Sequence, residues 1–357
     1  MSRTFAYVGC RTTRERHAEG TGIGVYQVYA SGAWQHRQTL EPLTNPSFLA
    51  LNRERSTLYA VHGDGETVSA FRVDPQTSML TLLNSQTGAG RNPVHLEFSR
   101  DAAKLVVAGY ASGTATPFPL AADGSVEPPQ APLTFDGERG PHRVEQTSSH
   151  PHHIARYVTR RFDTDWHIVP DKGLDTVFAV NWSADEKPIV KAARAREGAG
   201  PRHAAFHPEL PLVYVVNELD STVTTWSFDP VSGQLEALNT VPTIPPDHHE
   251  QSRAAGIVIA PDGQALYVTN RGHDTVATFQ LERSNGRLRD VRWVPTRGSF
   301  PRFLCIGPDG QTLYIANETS HSIEQFRLDP DSRQPIATGR SIKTGSPVSI
   351  VFRTIED

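Results

Sequence analysis

Cysteine and methionine are almost absent from this sequence, with two of each in 357 residues. Two thiols build no disulfide framework. Cys10 and Cys305 each fall in a strand-like segment and read as buried free thiols, with a mutual pair as the alternative. No run of about 18 apolar residues occurs. No apolar leader with a cleavage site precedes the strand-like Phe5-Ala6-Tyr7-Val8. The expectation is a soluble cytoplasmic protein with no membrane partner. Basic residues are not in excess either: 35 Lys and Arg stand against 39 Asp and Glu, a net charge of -4. That balance argues against nucleic acid as a partner, since phosphate backbones demand a clustered basic surface. It leaves local clusters of one sign open.

Chemical signatures are missing too. There is no G-x-S-x-G, no H-E-x-x-H and no phosphate-binding loop. Asp247-His248-His249-Glu250 and His150-x-His152-His153 are rich in imidazole but lack further ligands at fixed spacing. Neither a metal nor an organic cofactor is expected. Helical periodicity is absent, while 27 Gly and 27 Pro suit many short strands joined by tight turns.

What is present is a phrase that recurs seven times: Asn45-Pro46-Ser47-Phe48, Asn92-Pro93-Val94-His95, His150-Pro151-His152-His153, Gly200-Pro201-Arg202-His203, Arg253-Ala254-Ala255-Gly256, Phe300-Pro301-Arg302-Phe303 and Ser346-Pro347-Val348-Ser349. In the fifth copy Ala254 stands where the others have Pro. The copies lie about 46 to 58 residues apart, a period typical of propellers and arrays. A second phrase, roughly D-G-x-x-L-Y-V-x-N, follows each, most clearly from Pro261 to Asn270, and leads into T-V-x-x-F, here Thr275 to Phe279. Alternation of period two between Asp-Gly and Asp-Pro turns reads as antiparallel strands, with a fourth, outer strand such as Leu288 to Val294.

Four antiparallel strands per unit describe a propeller blade. The last phrase is followed by only one strand, and three more lie at the start of the chain, from Phe5 to Cys10, Gly22 to Tyr29 and Trp34 to Leu40. The fold expected is therefore all-β: one seven-bladed propeller domain over residues 1–357, closed by pairing the N-terminal strands with the C-terminal strand. A Pro-rich insertion from Glu127 to Arg143 separates two blades, and Ile154 to Asp165 replaces the usual hairpin of the third with a turn the pattern does not assign.

In an antiparallel hairpin the start of one strand and the end of the next share an edge, so both phrases face one mouth of the central channel. The residue after the Pro position runs Ser47, Val94, His152, Arg202, Ala255, Arg302, Val348; the residue after the Asn position runs Arg11, Gly63, Tyr110, Lys172, Glu218, Arg271, Glu318. A column serving structure alone would repeat its residue type around the ring. These carry His, Arg, Lys and Glu in different blades, the pattern of a site grafted onto a symmetric frame. An inter-blade ion-pair ring is the bland alternative, and Asn217, Asn270 and Asn317 can simply tie off strand ends.

At Tyr7-Val8-Gly9, Ser149-His150-Pro151-His152, Gly200-Pro201-Arg202-His203, His207-Pro208 with Val215-Val216-Asn217-Glu218-Leu219, and Thr269-Asn270-Arg271-Gly272, the chain resembles the seven-bladed propeller lactonase family. That family includes 6-phosphogluconolactonases and 3-carboxy-cis,cis-muconate lactonizing enzymes. The resemblance implies His152, Arg202, Arg271 and Glu218 as catalytic residues, with His153 as the alternative histidine if the irregular hairpin shifts its strand. Arg11, Lys172, His203, Asn217, Asn270, Arg302 and Glu318 are the expected substrate contacts. It implies a small anionic lactone as partner, acted on by a monomer or small homo-oligomer. Three readings follow: hydrolysis of a sugar lactone such as 6-phosphoglucono-1,5-lactone with Glu218 and His152 as acid and base, lactonization of a carboxylated muconate, and a non-catalytic binding propeller.

Overall fold

A computed structural model describes residues 2–356 apart from 53, 55 and 184–186. The described residues form seven four-stranded antiparallel sheets, and their only helix is a single 3-10 turn, Arg14–Arg16. Six sheets take their strands in chain order, starting at Pro46, Pro93, Ala155, Pro201, Arg253 and Pro301. The seventh sets the C-terminal strand Pro347–Glu356 against Ser2–Cys10, followed by Ile23–Val28 and Trp34–Leu40. Phe5 pairs with Arg353 and Val8 with Ile350, so the ring closes within one blade as the spacing of the phrases predicts.

Burial explains why the second strand of each unit reads L-Y-V. Leu212–Asn217 and Thr312–Asn317 are buried at every position, whereas the outer strand Ile189–Arg194 is largely exposed. A sheet caught between two others buries both faces, and alternation gives way to a continuous apolar run. The seven apolar clusters each join neighbouring blades; one combines Leu212, Tyr214 and Val216 with Leu266, Val268 and Phe279. The recurring Tyr adds a polar tie: Tyr7, Tyr59, Tyr214 and Tyr267 donate their hydroxyls to the carbonyls of Ser78, Gly124, Gly286 and Arg333 in the next blade, at 2.7 to 3.1 Å.

The irregular stretches have local causes. After the second blade's third strand comes an outer strand of two residues, Leu133–Thr134, where the fourth blade has eight, Leu235–Pro242. Pro128, Pro129 and Pro132 cannot donate to a ladder, so pairing stops early. In the third blade the hairpin turns at Thr159 to Phe162, where Thr159 N donates to Phe162 O and the Thr159 hydroxyl accepts from the N–H groups of Arg161 and Phe162. Cys10 and Cys305 are both free thiols.

Candidate active site

The Pro phrase is a β-bulge. Pro201 pairs with Asn217 and His203 with Val216, which leaves Arg202 as an extra residue without a partner. The same slip isolates Ser47, Val94, Arg302 and Val348, and a wider one spans Ala255. A bulge re-aims the side chain of the extra residue, so in six blades the variable column is turned out of the ladder; in the third, His152 instead precedes the strand, and its N–H donates to Pro170 O at 3.0 Å. The other column is fixed by the backbone: Arg11, Lys172, Glu218 and Glu318 each donate N–H to the carbonyl of the residue before Pro, at 2.8 to 3.0 Å. Both columns thus meet at one edge of every blade, and there they line a cavity of about 460 Å³.

Glu218 lies at the centre of the charges. Its Oε2 is 3.0 Å from Arg202 Nε and 3.0 Å from Arg271 Nη2, and its Oε1 is 3.3 Å from Lys172 Nζ and 3.6 Å from Arg253 Nη1. Burial pushes the carboxyl upward, but Arg271, Lys172 and Arg202 outweigh it and hold Glu218 well below the usual carboxylate range. The arginines are themselves anchored: Arg202 Nη1 donates to Ala255 O at 2.5 Å and Arg271 Nη2 to Ala254 O at 3.2 Å. Arg271 also lies over the Phe300 ring, 5.2 Å from its centroid. Burial depresses the Lys172 ammonium, yet Glu218, Tyr110 and Glu145 raise it above its ordinary value overall.

The three clustered histidines separate. His150 stacks on Tyr110 at 4.5 Å and its Nδ1 lies 2.9 Å from Tyr110 O. His153 accepts from Ala204 N and stacks on His203 at 4.4 Å. Among these three, His152 lines the cavity, and its Nδ1 is buried with no hydrogen-bond partner. Burial and the nearby Arg202 keep its pKa well below 6.5, so the imidazole is neutral. His203 sits beneath, lining a narrow space of about 20 Å³ shared with His152, Arg202, Arg11, Arg302 and Phe48.

Across the cavity from Lys172 lie Arg11, Arg302 and Glu318. Arg302 Nη1 is 3.7 Å from Glu318 Oε2, and Arg11 Nη1 is 3.7 Å from Asp64. Asn217 and Asn270, expected to contact substrate, are instead spent on the frame. Asn217 Nδ2 donates to the hydroxyls of Thr222 and Thr224, and Asn270 donates to Thr243 O while accepting from its hydroxyl. Neither lines the cavity. An Asn that closes a strand end recurs for structural reasons, which is why it shares the phrase without sharing the site.

Sequence reasoning missed Glu145 and Arg253. Glu145 lies just past the Pro-rich insertion and bridges Lys172 at 2.8 Å and Arg253 at 2.6 Å. Arg253 stands one residue ahead of the Ala that replaces Pro, outside either column. A larger hollow of about 660 Å³ lies at the opposite edge of the blades, lined by Ser99, Arg100, Asp163 and His167, but there Arg100 is paired with Asp163 at 3.3 Å.

Six cationic side chains face the main cavity, namely Arg11, Arg16, Lys172, Arg253, Arg271 and Arg302, against four carboxylates, Glu15, Glu145, Glu218 and Glu318. Two positive charges are therefore in excess, in a chain that is negative overall. The cavity is therefore cationic, with the neutral imidazole of His152 and the guanidinium of Arg271 in its lining and that of Arg202 buried in the narrow space beneath.

Comparisons with known proteins identify the family. Residues 5–352 match the family described as Lactonase, 7-bladed beta-propeller. A 6-phosphogluconolactonase of Bacillus subtilis is 30% identical over 308 residues, 85% of this chain and 84% of that protein. One from Formosa agariphila is 31% identical over 315 residues, covering 84% and 85%. The solved structure of a periplasmic gluconolactonase from Pseudomonas aeruginosa superposes with a TM-score of 0.88 at 25% identity, over 99% of each chain. The chain therefore belongs to the lactonase family of seven-bladed β-propellers and is an enzyme of that class.

Proposed function

We propose that the chain hydrolyses a sugar lactone, 6-phosphoglucono-1,5-lactone, by activating water at His152 while Arg202 and Arg271 receive the negative charge that develops on the lactone oxygen. The observation that carries this reading is the neutral imidazole of His152 in the lining of one cationic cavity beside the anchored guanidinium of Arg271, with that of Arg202 sharing the narrow space beneath. The names of the Bacillus and Formosa relatives support it.

The chemistry divides as follows. His152 takes a proton from water as the oxygen attacks the carbonyl carbon, and returns it to the ring oxygen as the C–O bond breaks. Arg202 and Arg271 are held in place before substrate arrives, so they stabilise the oxyanion without reorganising. Glu218 keeps both guanidiniums aligned. Four cations make it a poor base, and the acid and base pair expected from sequence narrows to His152 cycling between its two protonation states. No metal or organic cofactor enters these steps.

An ion-paired Glu218 is also what a purely structural ring would show. The neutral His152 in the cavity lining and the excess of cations there favour catalysis over such a ring. The test is the rate of 6-phosphoglucono-1,5-lactone opening against the spontaneous rate, with loss of the conjugated diene of a carboxymuconate followed in parallel. Acceleration of the first alone supports hydrolysis. Acceleration of the diene assay alone assigns lactonization, and acceleration of neither returns the chain to a binding role. The reading places the reaction in the cytoplasm.

A further inference from the structure

Both sides of the cavity hold buried guanidinium nitrogens without a hydrogen-bond partner, Arg202 Nε and Arg271 Nε on one and two of Arg11 on the other, but they differ in how closely carboxylates approach. Around Glu218 every close contact is 3.0 to 3.6 Å. Across from it, Arg11 is 2% exposed, and its Nε and Nη1 are buried with no hydrogen-bond partner. The nearest carboxylate, Asp64, is 3.7 Å away and already holds Arg16, whose Nε donates to it at 2.8 Å. Burial and the like charge of Arg302 push the Arg11 guanidinium down to about 9. Glu318 Oε2 is also without a hydrogen-bond partner. A buried charged donor left unmade costs the full desolvation of the group, so a site of this kind gains on meeting its ligand.

Room for Arg11 is built into the frame. Its column neighbour in the first blade is Gly63, and a Cβ there would lie 2.2 Å from Arg11 Nη1 and 2.9 Å from the Ser47 hydroxyl. Any larger residue at 63 would displace the guanidinium.

We propose that Arg11, with Arg302, forms a phosphate-reading subsite distinct from the Arg202 and Arg271 pair, and that the adjacent Glu318 accepts a hydrogen bond from a sugar hydroxyl. A phosphoryl group offers three acceptor oxygens, which suits two guanidiniums better than a single carboxylate would. A lone acceptor beside a lone cation matches a phosphorylated polyol, which carries a phosphoryl group and hydroxyls on one small frame. This division of labour rests on the lactonase reading, and it decides which lactone is preferred: relatives of this chain include a gluconolactonase as well as 6-phosphogluconolactonases.

Two measurements test it. The first is calorimetric titration of inorganic phosphate into the wild type, Arg11→Met and Arg302→Gln, with folding checked by melting temperature. Phosphate affinity is expected to fall about tenfold or more in Arg11→Met, the loss of one or more charge-assisted hydrogen bonds. Arg302 is the partly exposed member of the pair, so Arg302→Gln, expected to weaken phosphate severalfold, keeps the test alive if Arg11→Met does not fold. The second is the ratio of kcat/KM for 6-phosphoglucono-1,5-lactone over glucono-1,5-lactone, which should fall by a similar factor. Phosphate affinity and substrate ratio both within twofold of wild type would overturn the subsite. If the wild type opens neither lactone, the lactonase reading fails, and the phosphate titration still decides the subsite on its own.

Discussion

A carboxylate surrounded by four cations cannot act as a base of ordinary strength, and this constrains what Glu218 does. Its value lies in neutralising Arg202 and Arg271 enough to hold them side by side in a buried position. Removing one partner of such a group leaves the others uncompensated, at roughly 3 to 5 kcal/mol. Glu218→Gln is therefore expected to lower the melting temperature and to cut kcat about a hundredfold or more through misplaced guanidiniums. Denaturant melts and steady-state kinetics on the same preparation check both effects. The sequence makes Glu218, Arg202 and Arg271 visible because each breaks the repetition of its column. It could not show that Glu218 is pinned, since pairing depends on distances that only the bulges and the backbone bonds to the residue before Pro establish. Asn217 and Asn270 were legible as conserved in form around the ring, which is the mark of a frame residue.

Within one blade, the informative element is the strand that reads L-Y-V. Its tyrosines tie four of the blades to the next by one hydrogen bond each, so Tyr214→Phe removes the donor while keeping the ring. A net loss of about 1 kcal/mol is expected from the lost bond, read as a shift in the denaturation midpoint with unchanged slope. The insertion behaves differently. Gln146 fastens it to the Lys172 carbonyl at 2.8 Å, which sets Glu145 over Lys172 and Arg253 where a substrate anion would otherwise bind. Lys172 is buried, whereas the Glu145–Arg253 pair is partly exposed and worth on the order of 1 kcal/mol. Glu145→Gln is expected to lower KM about two- to fivefold with kcat held. Neither the carboxylate nor its position was readable from sequence, because an insertion has no copies in other blades to compare it with.

Across the whole molecule, the histidines whose pKa burial lowers share one consequence. His95, His152, His153, His167 and His203 all have pKa values lowered by burial, to about 4 for His167 and about 3 for His153. As pH falls below about 6.5 the unfolded chain binds protons that the folded chain does not, and stability drops by up to about 1.4 kcal/mol per pH unit for each such group. Glu97, raised to about 7 by burial, opposes this between its ordinary range and 7, but the lowered histidines outnumber it. The melting temperature is expected to decline steadily from pH 7 to pH 5, and a flat profile over that interval would contradict the burial of these rings. The ring itself was the most legible feature. Seven copies at a regular period, with one strand after the last and three before the first, leave few ways to close a sheet.

The central claim is that the departures from symmetry in the two columns form a catalytic site, and His152 is the departure with the most to do. The direct measurement is the initial rate of 6-phosphoglucono-1,5-lactone opening by the wild type and by His152→Ala, each corrected for spontaneous hydrolysis. The account predicts that kcat falls about a hundredfold or more, the usual worth of a positioned acid or base, with the melting temperature little changed. Turnover within threefold of wild type in a folded variant would contradict it.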